Sequence, residues 1–400
     1  MDRRTTQLGV GTLGLTKEEK ANVMQVLESD RLSYGPFIRQ FEKRFANLHD
    51  CSFAVFMNSG TNALSIAVAC LKETGGWKDG DEVIVPALTF VASANVVLEH
   101  NLVPVFVDCD PKTYNIDPAK IEAKISKKTK AIMPVHLFGQ IADMDPILAI
   151  AKKHDLRIIE DSCETVGVKY KGKPTGSFGD ISCFSTYVAH FIVTGVGGLA
   201  LTNNPAYAEI IRSLANHGRD NIYVSIDDDK DIDGARFHEV IKRRFRFVRR
   251  GYSCRGTEME AAIGVGQLDR FPQIRKSRFE NAQSLIQLLK PFEKWLQLPW
   301  FDEKKQEHGF MMFPIVIKDD TPFTKTDLVQ HLEEWNIETR EMMPLINQPC
   351  YDWMKINVKD YPVADWVNRC GFYIGCHQGF GEQELNYIKD VFQEFFSKQT

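Results

Sequence analysis

The chain has 400 residues, of which 44% are hydrophobic and 26% are charged, and its formal net charge is −4. This length is too great for one small core and fits two domains, and the composition is typical of an ordinary soluble globular protein. The small negative charge gives no basis for binding to nucleic acid or to an anionic membrane.

The N-terminus and the cysteines predict a cytoplasmic protein. The first seven residues contain no apolar stretch typical of a secretory signal, and no segment approaches the roughly twenty apolar residues of a membrane span. The nine cysteines are scattered, odd in number and without a C-x-x-C pair. This pattern favours free thiols in a reducing compartment over a zinc site or a disulfide framework.

Short apolar runs alternate with helical patterns between about residues 50 and 205. The predicted strands are Ser52–Phe56, Glu82–Val85, Val103–Val107, Ala131–Val135, Arg157–Glu160, Ile181–Ser185 and Gly198–Thr202. The predicted helices between them include Thr61–Lys72, Pro118–Ala123 and Asp145–His154. Several strands are nearly continuous runs of valine and isoleucine, which is typical of strands covered on both faces. The alternation predicts an α/β fold with an open, mainly parallel sheet and ligands at the carboxyl ends of its strands.

Residues 219–250 interrupt this alternation. The acidic segment Asp227–Gly234 is similar to a calcium loop in the spacing of its aspartates, but no glutamate follows at the distance that an EF-hand requires. We therefore predict no metal site. The basic run at residues 242–250 either binds nucleotide phosphates or, as such runs do more often, forms a solvated face.

The pattern after residue 256 indicates a second, smaller domain. Residues Thr257–Arg270 predict a helix with one apolar face, and Pro272 is expected to mark a boundary. We accordingly predict a large domain over residues 1–270 and a smaller α+β domain over residues 271–400. The elements predicted in the smaller domain include the strand Phe313–Ile317 and a final helix from Gly381.

Two segments carry residue types suited to binding charged groups. Ser59, Gly60 and Thr61 follow a predicted strand and open a predicted helix, where backbone N–H groups and the helix dipole form a phosphate cradle. Such turns also occur simply as helix caps. Asp161 and Glu164 follow a buried strand, where a buried carboxylate requires a cationic partner. Taken alone, this acidic pair would be interpreted as a helix N-cap.

These and other segments together resemble the DegT/DnrJ/EryC1/StrS family of sugar aminotransferases. The matching segments are Met57–Leu64, Pro86–Ser93, Val135–Gln140, Ile158–Glu164, Ser185–Gly198, Gly251–Thr257, Ile337–Arg340 and Tyr373–His377. The resemblance extends from about Arg31 to the last helix. It implies the aspartate-aminotransferase-like fold of pyridoxal-phosphate-dependent transferases, with a mainly parallel sheet in the large domain. It also implies pyridoxal 5′-phosphate, which alternates with pyridoxamine 5′-phosphate, as the cofactor, and a homodimer with shared active sites.

The resemblance assigns five residues to the phosphate of the cofactor. Ser59, Gly60 and Thr61 match the family's first phosphate-binding segment, and Ser185 matches its second phosphate-binding hydroxyl. Arg255 lies in a segment that usually gives a polar side chain to the phosphate in the partner subunit.

Three further residues match those that contact the ring of the cofactor. Phe90 matches an aromatic residue that stacks on the ring, and Asp161 matches the aspartate that faces the ring nitrogen. Glu164 matches a residue at the ring hydroxyl, which is glutamine in most of the aminotransferases. His136, in the segment before Gly139, is interpreted as structural rather than catalytic.

The position of His190 matches the family's cofactor-binding lysine. That lysine forms a Schiff base with the cofactor, which an imidazole is unable to do, although an imidazole moves protons near neutral pH. A lysine-to-histidine exchange is found in the family's 3-dehydratases of deoxysugar synthesis. Val196 departs from this pattern, since the family has glutamate there, and the flanks of His190 depart from the usual dehydratase sequence. No cysteine cluster for iron and sulfur surrounds Cys183 or Cys254, so the cluster-free type of the colitose pathway fits better.

Our leading hypothesis is therefore a 3-dehydratase of a nucleotide-linked 4-keto-6-deoxyhexose. L-glutamate would be the amino donor, and His190 would be the acid and base. Three alternatives remain open. They are a lysine-free aminotransferase or other pyridoxal-phosphate sugar enzyme, a non-catalytic member that binds cofactor or nucleotide sugar, and a lysine enzyme into which His190 was introduced.

Overall fold

The structure is a computed structural model that describes residues 2–220 and 233–399. Its strands are β1 Phe53–Met57, β2 Glu82–Pro86, β3 Val103–Val107, β4 Thr129–Ile132, β5 Arg157–Asp161, β6 Lys169–Tyr170, β7 Lys173–Pro174, β8 Ile181–Ser185, β9 Gly198–Thr202, β10 Leu296–Gln297, β11 Phe313–Ile317, β12 Thr339–Glu341 and β13 Gly371–Ile374. Except for Asp233 and Gly234, the acidic segment considered as a calcium loop lies outside the described residues.

Helices pack against both the larger and the smaller sheet. They are α1 Lys17–Glu28, α2 Pro36–Leu48, α3 Gly60–Gly75, α4 Ala92–Glu99, α5 Pro118–Ile121, α6 Met144–His154, α7 Pro205–Ala215, α8 Gly234–Arg243, α9 Glu258–Leu289, α10 Lys325–Glu334, α11 Pro362–Cys370 and α12 Glu382–Ser397. Short 3-10 turns lie at Glu122–Lys124, Leu137–Gly139, Lys290–Phe292, Pro349–Met354 and Val358–Asp360. In the described ranges, none of the helices is long and apolar enough to cross a membrane.

The larger sheet has the strand order β1-β9-β8-β5-β4-β2-β3. Strand β9 runs antiparallel to β1 and β8, and the remaining pairs are parallel, so the predicted mainly parallel α/β sheet is confirmed. All seven predicted strands are present, but β4 ends at Ile132 instead of Val135. The reason is Pro134, which has no N–H to donate to the ladder.

Helix α9 contradicts the predicted end of this helix before Pro272. The helix runs without interruption from Glu258 to Leu289, with Pro272 inside it. A proline in a helix interior costs about 3 kcal/mol. Buried residues on both sides, including Leu268, Phe271 and Ile274, pack against neighbouring elements and offset that cost. The proposed division between residues 270 and 271 therefore falls within a continuous helix and stays a prediction.

The smaller sheet has the order β10-β11-β13-β12 and is antiparallel throughout. The predicted strand Phe313–Ile317 is confirmed, and the final helix begins at Glu382 with Gly381 as its N-cap. The core of this part joins Leu285 and Leu289 of α9 to the sheet and to α12. Other C-terminal residues, among them Met342 and Tyr373, pack into the core of the larger sheet, which brings the two regions together.

Candidate active site

A cavity of about 360 Å³ lies at the carboxyl ends of β1, β5 and β8. These three strands run in the same direction, so the residues that follow them meet at one edge of the sheet. The predicted site residues that line the cavity are Ser59, Gly60, Thr61, Phe90, Asp161, Glu164, Ser185 and His190. Arg255 is the predicted site residue that does not line it.

The N-terminus of α3 forms one wall of the cavity. Ser59 is the N-cap, and its Oγ accepts a hydrogen bond of 3.0 Å from the N–H of Asn62. A Cβ atom added to Gly60 would lie 2.7 Å from Cβ of Ser185 and 2.9 Å from Sγ of Cys163. The glycine thus lets the helix terminus approach Ser185 closely. Backbone N–H groups and hydroxyls converge here, which suits a phosphate group.

Asp161 is a buried carboxyl at the end of β5. Its Oδ2 accepts a hydrogen bond of 2.8 Å from Ser93, and its Oδ1 accepts one of 3.2 Å from the N–H of Cys163. Burial raises the pKa of Asp161, and these hydrogen bonds oppose the increase. Among the described residues that line the cavity, no lysine or arginine is present to balance its charge. A protonated pyridine nitrogen supplies the missing cation, so the residues fit pyridoxal phosphate.

Glu164 carries a strongly perturbed carboxyl group. Burial raises its pKa to about 8; the hydrogen bond from the N–H of Phe138 opposes this increase, and the nearby Asp161 adds to it. The hydrogen bond from Phe138 is 2.6 Å long. At pH 7 the carboxyl group is therefore protonated, and its O–H is able to donate a hydrogen bond as a glutamine amide would.

His190 is half-buried and neutral at physiological pH. Burial lowers its pKa to about 4; the hydrogen bond to the carbonyl oxygen of Ser185 opposes this decrease, and the positive charge of Arg278 adds to it. Nδ1 lies 3.2 Å from that oxygen. A carbonyl oxygen only accepts, so Nδ1 carries the proton and Nε2 keeps a free lone pair. The imidazole is thus a base that lines the cavity.

Exposed apolar side chains form the mouth of the cavity. Phe90 is 58% exposed, Tyr187 52% and Val196 51%. Phe90 lines the cavity, and its stacking on the cofactor stays a prediction. Val196 is held between Gly195 and Gly197, whose φ angles are +95° and +146°.

Sequence reasoning missed several residues of the cavity wall. Met312, Met343 and Tyr373 come from the C-terminal region, and Cys163 lies between the two acidic residues. Tyr373 belongs to a segment that resembles the family, but the resemblance gave this residue no role. The two methionines lie in apolar surroundings that only tertiary packing brings to the cavity.

His136 does not line the cavity. It is buried, its Nε2 lies 3.3 Å from Oε2 of Glu160, and its Nδ1 accepts a hydrogen bond of 3.2 Å from the N–H of Ala142. Both ring nitrogens are thus used within the protein. This arrangement agrees with the structural interpretation of His136.

Arg255 lies in a separate cavity of about 560 Å³. Its guanidinium donates hydrogen bonds of 2.6 Å to the hydroxyl of Tyr34 and 3.0 Å to that of Ser253. The backbone beside it is tied to the end of β1, since the N–H of Asn58 donates to the carbonyl oxygen of Cys254 at 2.8 Å. Arg255 therefore does not reach the cavity of its own chain, and its action in a second subunit stays a prediction.

Known proteins match this chain along nearly its whole length. The model of the DegT/DnrJ/EryC1/StrS aminotransferase family matches residues 14–393. GDP-perosamine synthase of Caulobacter vibrioides is 34% identical over 384 residues, which cover 96% of each protein. GDP-4-keto-6-deoxy-D-mannose 3-dehydratase of Yersinia pseudotuberculosis is 30% identical over 370 residues, which cover 90% of this chain and 92% of the relative. The solved structure of the E. coli GDP-4-keto-6-deoxy-D-mannose-3-dehydratase with bound hydrated PLP superposes with a TM-score of 0.86 at 26% identity, covering 97% of this chain and 100% of that one.

Proposed function

The chain belongs to the DegT/DnrJ/EryC1/StrS aminotransferase family, and on this premise we propose that it is a 3-dehydratase of a nucleotide-linked 4-keto-6-deoxyhexose. Family membership by itself gives the coarser description. The chain has the fold of the pyridoxal-phosphate-dependent sugar aminotransferases and dehydratases, uses pyridoxal phosphate, and modifies sugars. The finer assignment depends on one observation, namely that a neutral histidine lines the cavity at the position where the family carries its lysine.

His190 performs the proton transfers in this proposal. Pyridoxamine phosphate would supply the amino group for the sugar ketone and an electron-accepting ring; hydrolysis would then release the 3-deoxy sugar and ammonia, and L-glutamate would restore the amino group of the cofactor. Nε2 of His190 has a free lone pair and would accept the proton that leaves the C4′ carbon of the cofactor, and the electron pair of that C–H bond would move outward to break the C3–O bond of the sugar. The resulting imidazolium then donates a proton to the departing C3 hydroxyl group.

The acidic residues hold the ring in its reactive state. Asp161 stabilises a positive charge on the ring nitrogen, because its carboxylate is buried without another cation among the described cavity residues. Glu164 would donate a hydrogen bond from its carboxyl O–H to the ring hydroxyl oxygen. Ser59, Thr61 and Ser185 bind the phosphate group with their hydroxyls.

The cavity favours elimination over amine transfer for a chemical reason. Among its described residues there is no lysine to displace the aminated sugar and recapture the cofactor. The sugar therefore stays attached for longer, which allows the C3 hydroxyl to leave. A lysine-free aminotransferase is the second candidate, and the 34% identity to a GDP-perosamine synthase favours it.

Product mass separates the two candidates. The protein is incubated with pyridoxal phosphate, L-glutamate and a panel of nucleotide-linked 4-keto-6-deoxyhexoses, and the sugar products are analysed by mass spectrometry. We expect a product that has lost the C3 oxygen. An amino sugar as the main product would contradict the dehydratase proposal, and absence of turnover with every sugar would favour a binding protein.

A further inference from the structure

The N-terminal residues 8–11 form a strap between the segment that leads into β12 and a turn in the wall of the active-site cavity. At one end of the strap, the N–H of Leu8 donates to the carbonyl oxygen of Asn336 at 2.8 Å, and the N–H of Glu338 donates to that of Leu8 at 2.9 Å. A side chain adds to this attachment, since Oε2 of Glu338 accepts a hydrogen bond of 2.7 Å from the N–H of Val10. The strap is therefore fixed at this end by both backbone and side-chain hydrogen bonds.

His190 lies at the end of the turn that the strap reaches. Its N–H donates a hydrogen bond of 2.9 Å to the carbonyl oxygen of Tyr187, so that Val188 and Ala189 form the tip of the turn. After His190 the chain enters the core with the buried Phe191, whereas the side chains of Tyr187 and Val188 are exposed. The tip is thus the less buried side of the turn, and its support affects where the imidazole lies.

Gly11 packs directly on this tip. A Cβ atom added to Gly11 would lie 2.8 Å from Cα of Ala189 and 3.4 Å from the carbonyl oxygen of Val188. The φ angle of Gly11 lies outside the left-handed region, so its backbone conformation does not require glycine. The close approach to the tip is what excludes a side chain. The strap thus places backbone against backbone next to the residue that carries the imidazole.

We propose that Gly11 is a positioning residue, which supports the tip of the turn so that the His190 imidazole keeps its place in the cavity. A methyl group on Gly11 must displace the strap or the tip, because a Cβ atom does not approach a carbon atom to 2.8 Å. The hydrogen bonds of Leu8 and Val10 hold the strap, so the displacement falls at least in part on the tip. A misplacement of about 1 Å at a reacting group costs up to about 100-fold in rate. This inference rests on the proposed function, in which His190 moves protons at the cofactor.

The test uses the glutamate half-reaction, in which bound pyridoxal phosphate is converted into pyridoxamine phosphate. Its single-turnover rate is followed by absorbance in the holoenzyme over a range of L-glutamate concentrations. The reaction needs a proton transfer between glutamate and the cofactor, and it is the same whether the later sugar product is deoxygenated or aminated. The variant is Gly11→Ala. Its control is Gly14→Ala, where an added Cβ meets no described atom within 4 Å.

Both variants are also made in a His190→Asn background, which completes a double-mutant cycle. With His190 present, we expect Gly11→Ala to lower the maximal rate by at least about tenfold, while the glutamate concentration at half-maximal rate stays within about threefold. In the His190→Asn background the same change is expected to lower the rate by less than about twofold, because no imidazole is left to displace. Gly14→Ala should keep the rate of its background in both cases.

The cycle separates failure of this inference from failure of the proposed function. An equal loss of rate in both backgrounds would show that Gly11 acts on the fold or on substrate binding, and would overturn the proposal. An unchanged rate of Gly11→Ala with His190 present would overturn it as well. If His190→Asn alone converted the cofactor as fast as wild type, the role of His190 as a base would be refuted together with this inference. An amino-sugar product would refute the dehydratase assignment alone.

A change at the other end of the strap covers the case in which Gly11→Ala does not fold. Glu338→Ala removes the acceptor of the Val10 N–H, whereas Glu338→Gln keeps an oxygen for it. We expect Glu338→Ala to lower the rate of the half-reaction by at least about threefold with His190 present and not in the His190→Asn background, and Glu338→Gln to recover most of this loss. An equal effect of Glu338→Ala in both backgrounds, as would follow from the loss of its ion pair with Arg340, contradicts the proposal.

Discussion

At the scale of single residues, burial shifts the pKa values of two groups of the site in opposite directions. Glu164 is a neutral acid at pH 7 because it is buried, and His190 stays a neutral base well below its ordinary pKa for the same reason. The sequence predicted that both residues belong to the site. Their protonation states were not predicted, because burial depends on Phe138, Tyr373 and other residues that are distant along the chain.

Glu164 makes the apo-protein's stability depend on pH. The pKa of its carboxyl is raised in the folded state, so between pH 5 and pH 7 the unfolded chain loses this proton while the folded chain keeps it. The group therefore lowers stability as the pH rises. Replacing it with glutamine removes that loss and keeps an oxygen for the N–H of Phe138. We expect the stability of Glu164→Gln relative to wild type to improve by roughly 2 kcal/mol between pH 5 and pH 7.

Urea denaturation of the apo-proteins at both pH values measures this difference. Glu280→Gln, at an exposed position on α9, is the matched control and should show no such trend. A difference between Glu164→Gln and wild type that does not change with pH would show that the Glu164 carboxyl is ionised in the folded protein.

At the scale of helices and strands, the local sequence pattern was sufficient to predict an element where one kind of residue dominated the segment. The strands of the larger sheet are nearly continuous apolar runs, and Ser59-Gly60 marks the start of α3 by its own chemistry. The predicted ends of two elements were wrong, and a proline is involved in each case. Pro134 ends β4 early because it lacks a donor, whereas Pro272 lies within α9 because tertiary packing on both sides outweighs the lost hydrogen bond.

The start of α3 allows a direct test of the phosphate cradle. Alanine normally favours a helix over glycine by up to about 1 kcal/mol. At Gly60, however, the added Cβ would collide with Ser185 and Cys163 at 2.7 and 2.9 Å. We expect Gly60→Ala to lower stability by about 1–3 kcal/mol and to weaken cofactor binding at least about tenfold.

Urea denaturation and titration with pyridoxal phosphate, followed by absorbance, measure both effects. Gly14→Ala is the control, because a Cβ there meets no atom within 4 Å. If Gly60→Ala bound the cofactor as tightly as wild type, the close approach of α3 to Ser185 would not be part of the site.

At the scale of the whole molecule, the cavity is open and short of positive charge. Among the described residues that line it there is no lysine or arginine, although its predicted ligands carry a phosphate and a nucleotide diphosphate. Apolar side chains such as Phe90 and Val196 are half-exposed at its mouth. In the predicted homodimer, Arg255 would act in the site of a second copy. That arrangement stays a prediction, because Arg255 lies in a different cavity of its own chain.

The whole-molecule organisation also limits what the sequence alone predicts. Motifs in order along the first two hundred residues predicted the sheet and most of the cavity. Met312, Met343 and Tyr373 reach the cavity only because the smaller sheet packs against the larger one. Contacts of this kind have no local sequence signal, since they depend on how two cores meet.

We propose that His190 directs the reaction towards elimination, and this role is tested by the ratio of 3-deoxy to amino sugar that wild type and His190→Lys produce. Both proteins receive the same nucleotide-linked 4-keto-6-deoxyhexose, pyridoxal phosphate and L-glutamate. We expect wild type to give the 3-deoxy sugar and His190→Lys to shift the ratio towards the amino sugar by at least about tenfold, because lysine releases the aminated sugar. An amino sugar as the main product of wild type, or an equal ratio in the two proteins, would contradict the claim.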